Sequence, residues 1–485
     1  MIRALSVKSL KSDKSDTFKS IQSSSDDGKS LDFDQFIGAS CKAFDCPVAV
    51  AVGKEIDRDA FVKSGKKLET KLKRRSVVPH IIEPASSDED TQTEKSLVHD
   101  DQTLLIMTYY DILNRMTEIH MTKYHYHPIP WILMRLISLI LPLHKHLQKF
   151  IIKSCKIDMY TIYELSKILP NTNITEVCLD HSPLREGNYD ILLSDSTSVR
   201  SLSLARCNIN DIVCERIAAR LKFLEPAERT LIILNLSTNY ITDKGAKHLG
   251  VALRTNRHLR YLNLAGNQIT DTGANFIFEV LIEFPLTSEE ITEKRKRYFD
   301  YLNKKQTLIE TCLCELKMDE ISLKKGSKKP MPMKINKPNM KKGQESWSDE
   351  VINAKIDLML AETLGPFEDP FSQDTSKVVN GHCFNVGNLI LCYLNLAYNN
   401  LSFLSIQKLI GVLLYQRELK CPGLCGLLNV IVEGNYLPKN CKELDNMNNI
   451  LLRQIMRFGN RPAADRKRKS TVITSQDKKL PLSSG

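Results

Sequence analysis

The chain has 485 residues, a formal net charge of +11, 42% hydrophobic residues and 26% charged residues. These are ordinary globular proportions and exclude a wholly disordered chain, while 20 Gly and 19 Pro exclude a collagen-like or Gly/Pro low-complexity architecture. The longest apolar stretch, Trp131 to Leu143, covers 13 residues with Arg135 and Pro142 inside it, short of the ~18 needed to span a bilayer. The amino terminus, MIRALSVKSLKSDKSD, has no secretory apolar core. An intracellular, soluble chain is expected.

The positive charge is concentrated. Ile321 to Gly343 holds eight Lys (324, 325, 328, 329, 334, 337, 341 and 342) and no acid, and Asn460 to Gly485 holds seven basic and two acidic residues. What remains is close to neutral, so the expected folded part is not basic. Thirteen cysteines without a signal peptide point to reduced thiols. Cys312/Cys314 and Cys421/Cys425 lack zinc-ligand spacing, and His125/His127 and His144/His146 would point to different faces of a helix. No metal site is expected.

Taken in order, residues 1–100 carry Ser, Asp and Lys clusters and read as a disordered arm, apart from a stretch around Phe36 to Val52 that would dock locally. KRRS (Lys73 to Ser76) suits a basophilic kinase. Residues 101–146 read as a helical N-terminal cap: DQTLLIMTYYDILNRM, then PWILMRLISLILPLHKHL with Ile132, Leu133, Leu136, Ile137, Ile140 and Leu141 apolar. From 147 to 284 a frame recurs, L-x-x-L-x-L-x-x-N-x-I/L. It is clearest at 231–253 and 259–281, where Leu234 and Leu262 lie 28 apart, as do Asn239 and Asn267. Looser copies hold Leu147, Phe150, Ile152, Cys155 and Ile157; Ile174, Val177, Leu179, Ser182 and Leu184; and Val199, Leu202, Leu204, Cys207 and Ile209. Two more follow in 389–437, at Leu391, Leu394, Leu396, Asn399 and Leu401, and at Leu427, Val430, Val432 and Asn435. One copy alone is weak; seven in frame are the signature of leucine-rich repeats.

In L-x-L both leucines leave one face of a short strand for the core. The Asn position needs a side chain that satisfies backbone groups as the chain turns, and Thr and Asp in TDKGA and TDTGA are suited to cap a helix. Residues 285–388 interrupt the frame. Pro285 and TSEE open a capping box, a charged helix follows with Ile291, Tyr298, Leu302 and Ile309 on one face, then the Lys-rich stretch and VINAKIDLMLAETL. A capping helix is expected at 438–459 and a basic disordered tail at 460–485.

With its 28-residue period the chain resembles the ribonuclease-inhibitor class of leucine-rich-repeat proteins. The resemblance implies an α/β solenoid (horseshoe), its parallel sheet on the concave face and its helices on the convex face, interrupted by a long, partly disordered insertion. More narrowly, LNLSTNYITDKGAKHLG, LRYLNLAGNQITDTGA, LTSEEITEKRKR and LCYLNLAYNNLS resemble one animal branch of that class. That implies a non-enzymatic protein of motile cilia or flagella.

Phosphate-loop, dinucleotide, nucleophile-elbow and zincin motifs are all missing, so no catalytic residue, cofactor or small-molecule substrate is expected. The residues between the strand leucines form the expected binding face for a protein partner: Ser203, Ile233, Asn235, Ser237, Tyr261, Asn263, Tyr393, Asn395 and Ile431, flanked by Ser201, Ala205, Ala265 and Ala397. The expectation is a cytoplasmic scaffold, with axonemal partners, no membrane and no nucleic acid. Two alternatives compete. Activators of the Ran GTPase share this repeat class, although they resemble an unbroken solenoid with an acidic tail. The Lys-rich segments alternatively suit an acidic polymer such as a microtubule surface or nucleic acid, and RKRK (Arg466 to Lys469) a nuclear import signal.

Overall fold

The computed structural model describes residues 32–56, 103–195, 197–326, 349–419, 425–438 and 441–459. Expectations for the kinase site, most of the arm and of the Lys-rich stretch, and the basic tail lie outside these residues. Two compact units emerge, one comprising the chain up to Leu281 and from Asn388 onward, the other Ile282–Gly387. Among the described residues no helix is long and apolar enough to cross a membrane.

The first unit is built on a ten-stranded sheet. It opens with α1 (Phe33–Ala43), β1 (Ala49–Ile56), β2 (Thr103–Tyr110), β3 (Met116–Thr122) and α2 (Trp131–Ile140). The repeat strands follow: β4 (Lys149–Lys153), β5 (Glu176–Cys178), β6 (Ser201–Ser203), β7 (Ile233–Asn235) and β8 (Tyr261–Asn263). Their helices are α3 (Met159–Ile168), α4 (Asp211–Ala219), α5 (Asp243–Thr255) and α6 (Asp271–Phe278). Strand order follows the chain, and all pairs are parallel except β2 with β3.

The frame leucines form the core. Leu202, Leu204, Leu234, Leu236, Leu262 and Leu264 are buried, as are Phe150, Ile152, Val177 and Leu179. Each such Leu contributes about 1.5–3 kcal/mol by leaving water. At the Asn position, the Asn267 side chain donates to the carbonyls of Leu236 and Leu264 and accepts the Ile241 N–H at 3.1 Å. Asn239 does the same one repeat earlier, accepting from Cys207 and Ile209. One side chain thus ties two repeats together.

Two sequence expectations are corrected. The described part of DQTLLIMTYYDILNRM, from Thr103, is not helical: it forms β2, a turn and the start of β3, an antiparallel pair. Leu104, Ile106, Thr108 and Tyr110 are buried while Leu105, Met107 and Tyr109 are half-buried. With apolar residues on both faces, the run has no clean period of two, which is what hid the strand. The Asp111 carboxylate accepts the N–H groups of Leu113 and Arg115 and closes the turn. Nor is the arm unstructured throughout. Around the stretch expected to dock, α1 buries Phe33, Phe36 and Ile37, and β1 lies parallel to β2. The second half of the expected cap is helical as α2, with Leu133, Leu136, Ile137 and Ile140 buried.

The second unit holds β9 (Phe284–Pro285), α7 (Ser288–Gly326), α8 (Asp349–Thr363), β10 (Ser376–Val379) and β11 (His382–Asn385), with an antiparallel sheet ordered β10-β11-β9. The capping box forms, Thr287 N–H to Glu290 at 2.8 Å and Glu290 N–H to Thr287 at 3.1 Å. The expected face of α7 is wrong in part, since Tyr298 and Leu302 are exposed. Instead Cys312 is buried against Ile356 of α8, with Ile309 and Leu313 beside it. Arg297 donates to Asp369 at 2.7 Å and Tyr301 to the Gly365 carbonyl at 2.9 Å. Those polar anchors set the helix rotation.

Back in the first unit, β12 (Tyr393–Asn395), α9 (Phe403–Glu418), β13 (Asn429–Ile431) and α10 (Lys442–Gly459) complete the sheet and its helices. β12 pairs directly with β8, although the insertion separates them in sequence. The Asn388 N–H bonds the Val280 carbonyl at 2.8 Å, and the Asn399 carbonyl oxygen of the side chain accepts the Ile269 N–H at 3.1 Å.

Candidate functional site: the open face of the sheet

Strand residues alternate between the core and a second, half-exposed face. Register aligns that open face in rows across the whole sheet. One row runs through His120, Ile151, Cys178, Ser203, Asn235, Asn263, Asn395 and Ile431. Beside it runs another, through Glu118, Lys149, Glu176, Ser201, Ile233, Tyr261, Tyr393 and Asn429. The nine residues expected from sequence therefore share one surface, with Ser237 two positions beyond Asn235.

In these two rows the carboxy-terminal half of the face carries no charge. Tyr261 and Tyr393 stack with ring centroids 3.8 Å apart and planes 7° from parallel. Burial, then the neighbouring Tyr393 hydroxyl, pushes the Tyr261 phenol up to about 12. It stays neutral at physiological pH and presents an apolar ring with a polar tip. The asparagines are held from behind: Oδ1 of Asn235, Asn263 and Asn395 accepts the N–H two residues ahead, at 3.1, 3.1 and 3.0 Å. Asn235 also donates to Ser203 at 2.9 Å, and Ser203 donates to Asp180 at 2.6 Å. Among the described residues the side-chain N–H groups of Asn263 and Asn395 have no protein partner, so they are available to a ligand.

The amino-terminal half is ionic, and the sequence reading missed it. Lys149 lies 3.0 Å from Glu118 and 3.9 Å from Glu176, and His120 lies 2.9 Å from Glu118 with its ring 4.4 Å from that of Tyr109. The Glu118 hydrogen bond, against partial burial, holds the Lys149 ammonium above its ordinary range. Lys149, Glu176 and Asp180 hold outward places in the copies at Leu147 and Ile174, so carrying the binding face across those two copies would have found them. Glu118 and His120 were lost with the strand that carries them.

A separate cavity of about 400 Å³ lies beside the β2–β3 turn, lined by Asp32, Lys54, Tyr110, Arg115, His144 and Lys145. Burial holds the His144 imidazole below its ordinary value, and burial with the charge of Asp34 pushes the Tyr110 phenol up to about 12. Among the described residues no cluster of His, Cys, Asp and Glu has the form of a metal site.

Residues 228–250 and 255–278 match the model of the leucine-rich repeat family. No curated protein matches the chain. Among solved structures, the chain is similar to "Leiomodin-1 Actin-Binding Site 2 (ABS2)" at 11% identity, covering 64% of this chain and 95% of that one with a TM-score of 0.28. A likeness of that size carries no argument about binding. The chain carries leucine-rich repeats on a mixed α/β framework, a protein-interaction module.

Proposed function

We propose that this chain is a non-catalytic scaffold that captures a protein partner on the open face of its repeat sheet, the concave side of a leucine-rich-repeat horseshoe. The observation that carries the reading is the Tyr261–Tyr393 stack, ringed by Ile233, Asn235, Asn263 and Asn395 in strict register. A rigid aromatic anchor beside unpaired amide donors is the composition of a protein-binding centre. The setting we propose is the axoneme of motile cilia or flagella. It is supported by the resemblance of LNLSTNYITDKGAKHLG, LRYLNLAGNQITDTGA and LTSEEITEKRKR to leucine-rich repeat-containing protein 71 of animals.

A photo-crosslinking amino acid at Asn263 of the full-length chain, in motile-ciliated cells, tests both parts. The expected product is a covalent adduct with an axonemal protein. Replacing Tyr261 and Tyr393 together by Ala, with unchanged thermal unfolding, should weaken capture roughly 30-fold, the effect of losing about 2 kcal/mol at an interface centre. Adducts with nuclear or GTPase-cycle proteins would sink the axonemal reading. Undiminished capture by the double variant would sink the open face as the binding surface. A chain lacking Ile321 to Gly343 should capture the same partner, because the Lys-rich stretch is a linker in this reading.

A further inference from the structure

α1 ends in a cap of the Schellman kind. Asp45 takes the left-handed conformation, with φ of 49°. The next residue, Cys46, then returns its N–H to the Cys41 carbonyl at 2.9 Å, the six-to-one bond of that motif. In such a cap the side chains at these two positions face one another, and they are commonly an apolar pair. Here both are cysteines. Their thiols meet and hydrogen-bond to each other, and each is only half-buried, so small reagents reach them.

The two sulfurs are not equivalent. The hydrogen bond from Cys41, against partial burial and with help from the Val48 N–H, brings the Cys46 thiol down to about 6, whereas Cys41 keeps its proton and is pushed up. The cysteines of the repeat core behave differently. Cys155 and Cys207 are buried, donate to backbone carbonyls, and are pushed up to about 11 and about 12 by burial. They do structural work with their protons on.

We propose that Cys41 and Cys46 are a redox-active dithiol that closes to an intramolecular disulfide when a hydroperoxide oxidises it. The Cys46 thiolate attacks the terminal peroxide oxygen. The O–O bond breaks, the alkoxide or hydroxide leaves and takes up a proton, and Cys46 becomes a sulfenic acid. Cys41 then attacks the Cys46 sulfur, and the displaced hydroxide leaves as water with the Cys41 proton. Two thiols and one hydroperoxide give one disulfide, one alcohol (or water) and one water. The cap holds the resolving thiol within hydrogen-bonding reach of the attacking one before oxidation begins.

The experiment uses the full-length chain and hydrogen peroxide. Lys42 lies between the two cysteines, so a non-reducing tryptic digest separates them unless a disulfide joins the fragments. The expected result is a linked pair, one fragment ending Cys41–Lys42 and the other containing Cys46, formed with peroxide and lost with dithiothreitol. In the reduced chain, alkylation of Cys46 should show a midpoint near pH 6, below the ordinary thiol value of ~8.5. Cys41→Ala should move the Cys46 midpoint up toward the ordinary thiol value and leave a sulfenic acid that dimedone traps. Its circular dichroism and thermal unfolding are checked alongside, and Cys41→Ser serves if Ala fails to fold. A Cys46 midpoint at the ordinary ~8.5, or Cys46 sulfinate without the linked pair, overturns the proposal.

Discussion

The two halves of the repeat sheet solve one problem with different atoms. From β7 onward the turn after each strand is held by Asn239, Asn267, Asn399 and Asn435, each offering one acceptor and two donors to backbone groups of its own and the preceding repeat. In β4 to β6 the same position is Cys155, Ser182 and Cys207. The Cys207 thiol donates at 3.1 Å to Leu179 and 3.5 Å to Ala205 and meets the Tyr189 hydroxyl, but it offers no acceptor to the backbone. Its own N–H is satisfied by Asn239 of the next repeat. A thiol suffices where a neighbour supplies the missing acceptor. Where amide stacks on amide, each side chain completes the backbone of two turns.

That contrast predicts unequal costs. Asn267→Ala strips the Ile241 N–H of its acceptor and the Leu236 and Leu264 carbonyls of a donor, all buried. At about 1–3 kcal/mol per buried unsatisfied group, urea unfolding should show a loss of about 4 kcal/mol. Cys207→Ala should cost about 1 kcal/mol, since it removes only weak hydrogen bonds of a thiol. Equal losses would break the comparison.

A second contrast concerns the helix starts. Thr242 and Thr270 cap their own helices, as the sequence suggested, but the Asp beside each serves the following repeat. Asp211 accepts from the N–H groups of Thr242 and Gly245, and Asp243 accepts from Thr270. A Cβ on Gly273 would overlap the Asp243 carboxylate. Gly273→Ala should therefore cost about 2 kcal/mol in the same unfolding assay. The equivalent place in the last helix pair is Ser405, whose hydroxyl instead donates to Asp271. Ser405→Ala should be milder than Gly273→Ala.

The smallest effect is conditional on pH. Burial raises the Asp271 carboxyl, but hydrogen bonds from Ser402 and Ser405 outweigh it, leaving the group below its ordinary value. A lowered folded value means stability that is full above the unfolded value of about 3.9 and lost as pH falls through the folded one. Asp271→Asn should cost about 1 kcal/mol at neutral pH, and its gap from the parent should narrow below about pH 4. A gap that widens in acid would show that Asp271 is not the charged acceptor between repeats separated by 131 residues of chain.

The sheet was legible because burial recurs with one spacing. Even the loose copy at Leu147, Phe150 and Ile152 takes the same buried places as Leu231, Leu234 and Leu236. β2 and β3 were not legible, because TLLIMTYY is apolar on both faces and only its neighbours decide which face is core. The open face was half legible for the same reason. Its tyrosines and asparagines sit in clear copies of the frame, and its ionic cluster needs β3.

By itself the sequence determined the repeat, its core leucines, the amides at the turn and the capping box at Thr287, since each is local or periodic and its physics is read within a few residues. Only the tertiary structure decided the partners of Asp211, Asp243 and Asp271, the stacking of Tyr261 on Tyr393, and the joining of β8 to β12 across the insertion. Those depend on which turns of the chain lie side by side. The meeting of Cys41 with Cys46 stands between the two cases: the residues are five apart, but a left-handed Asp45 is needed to turn one thiol onto the other.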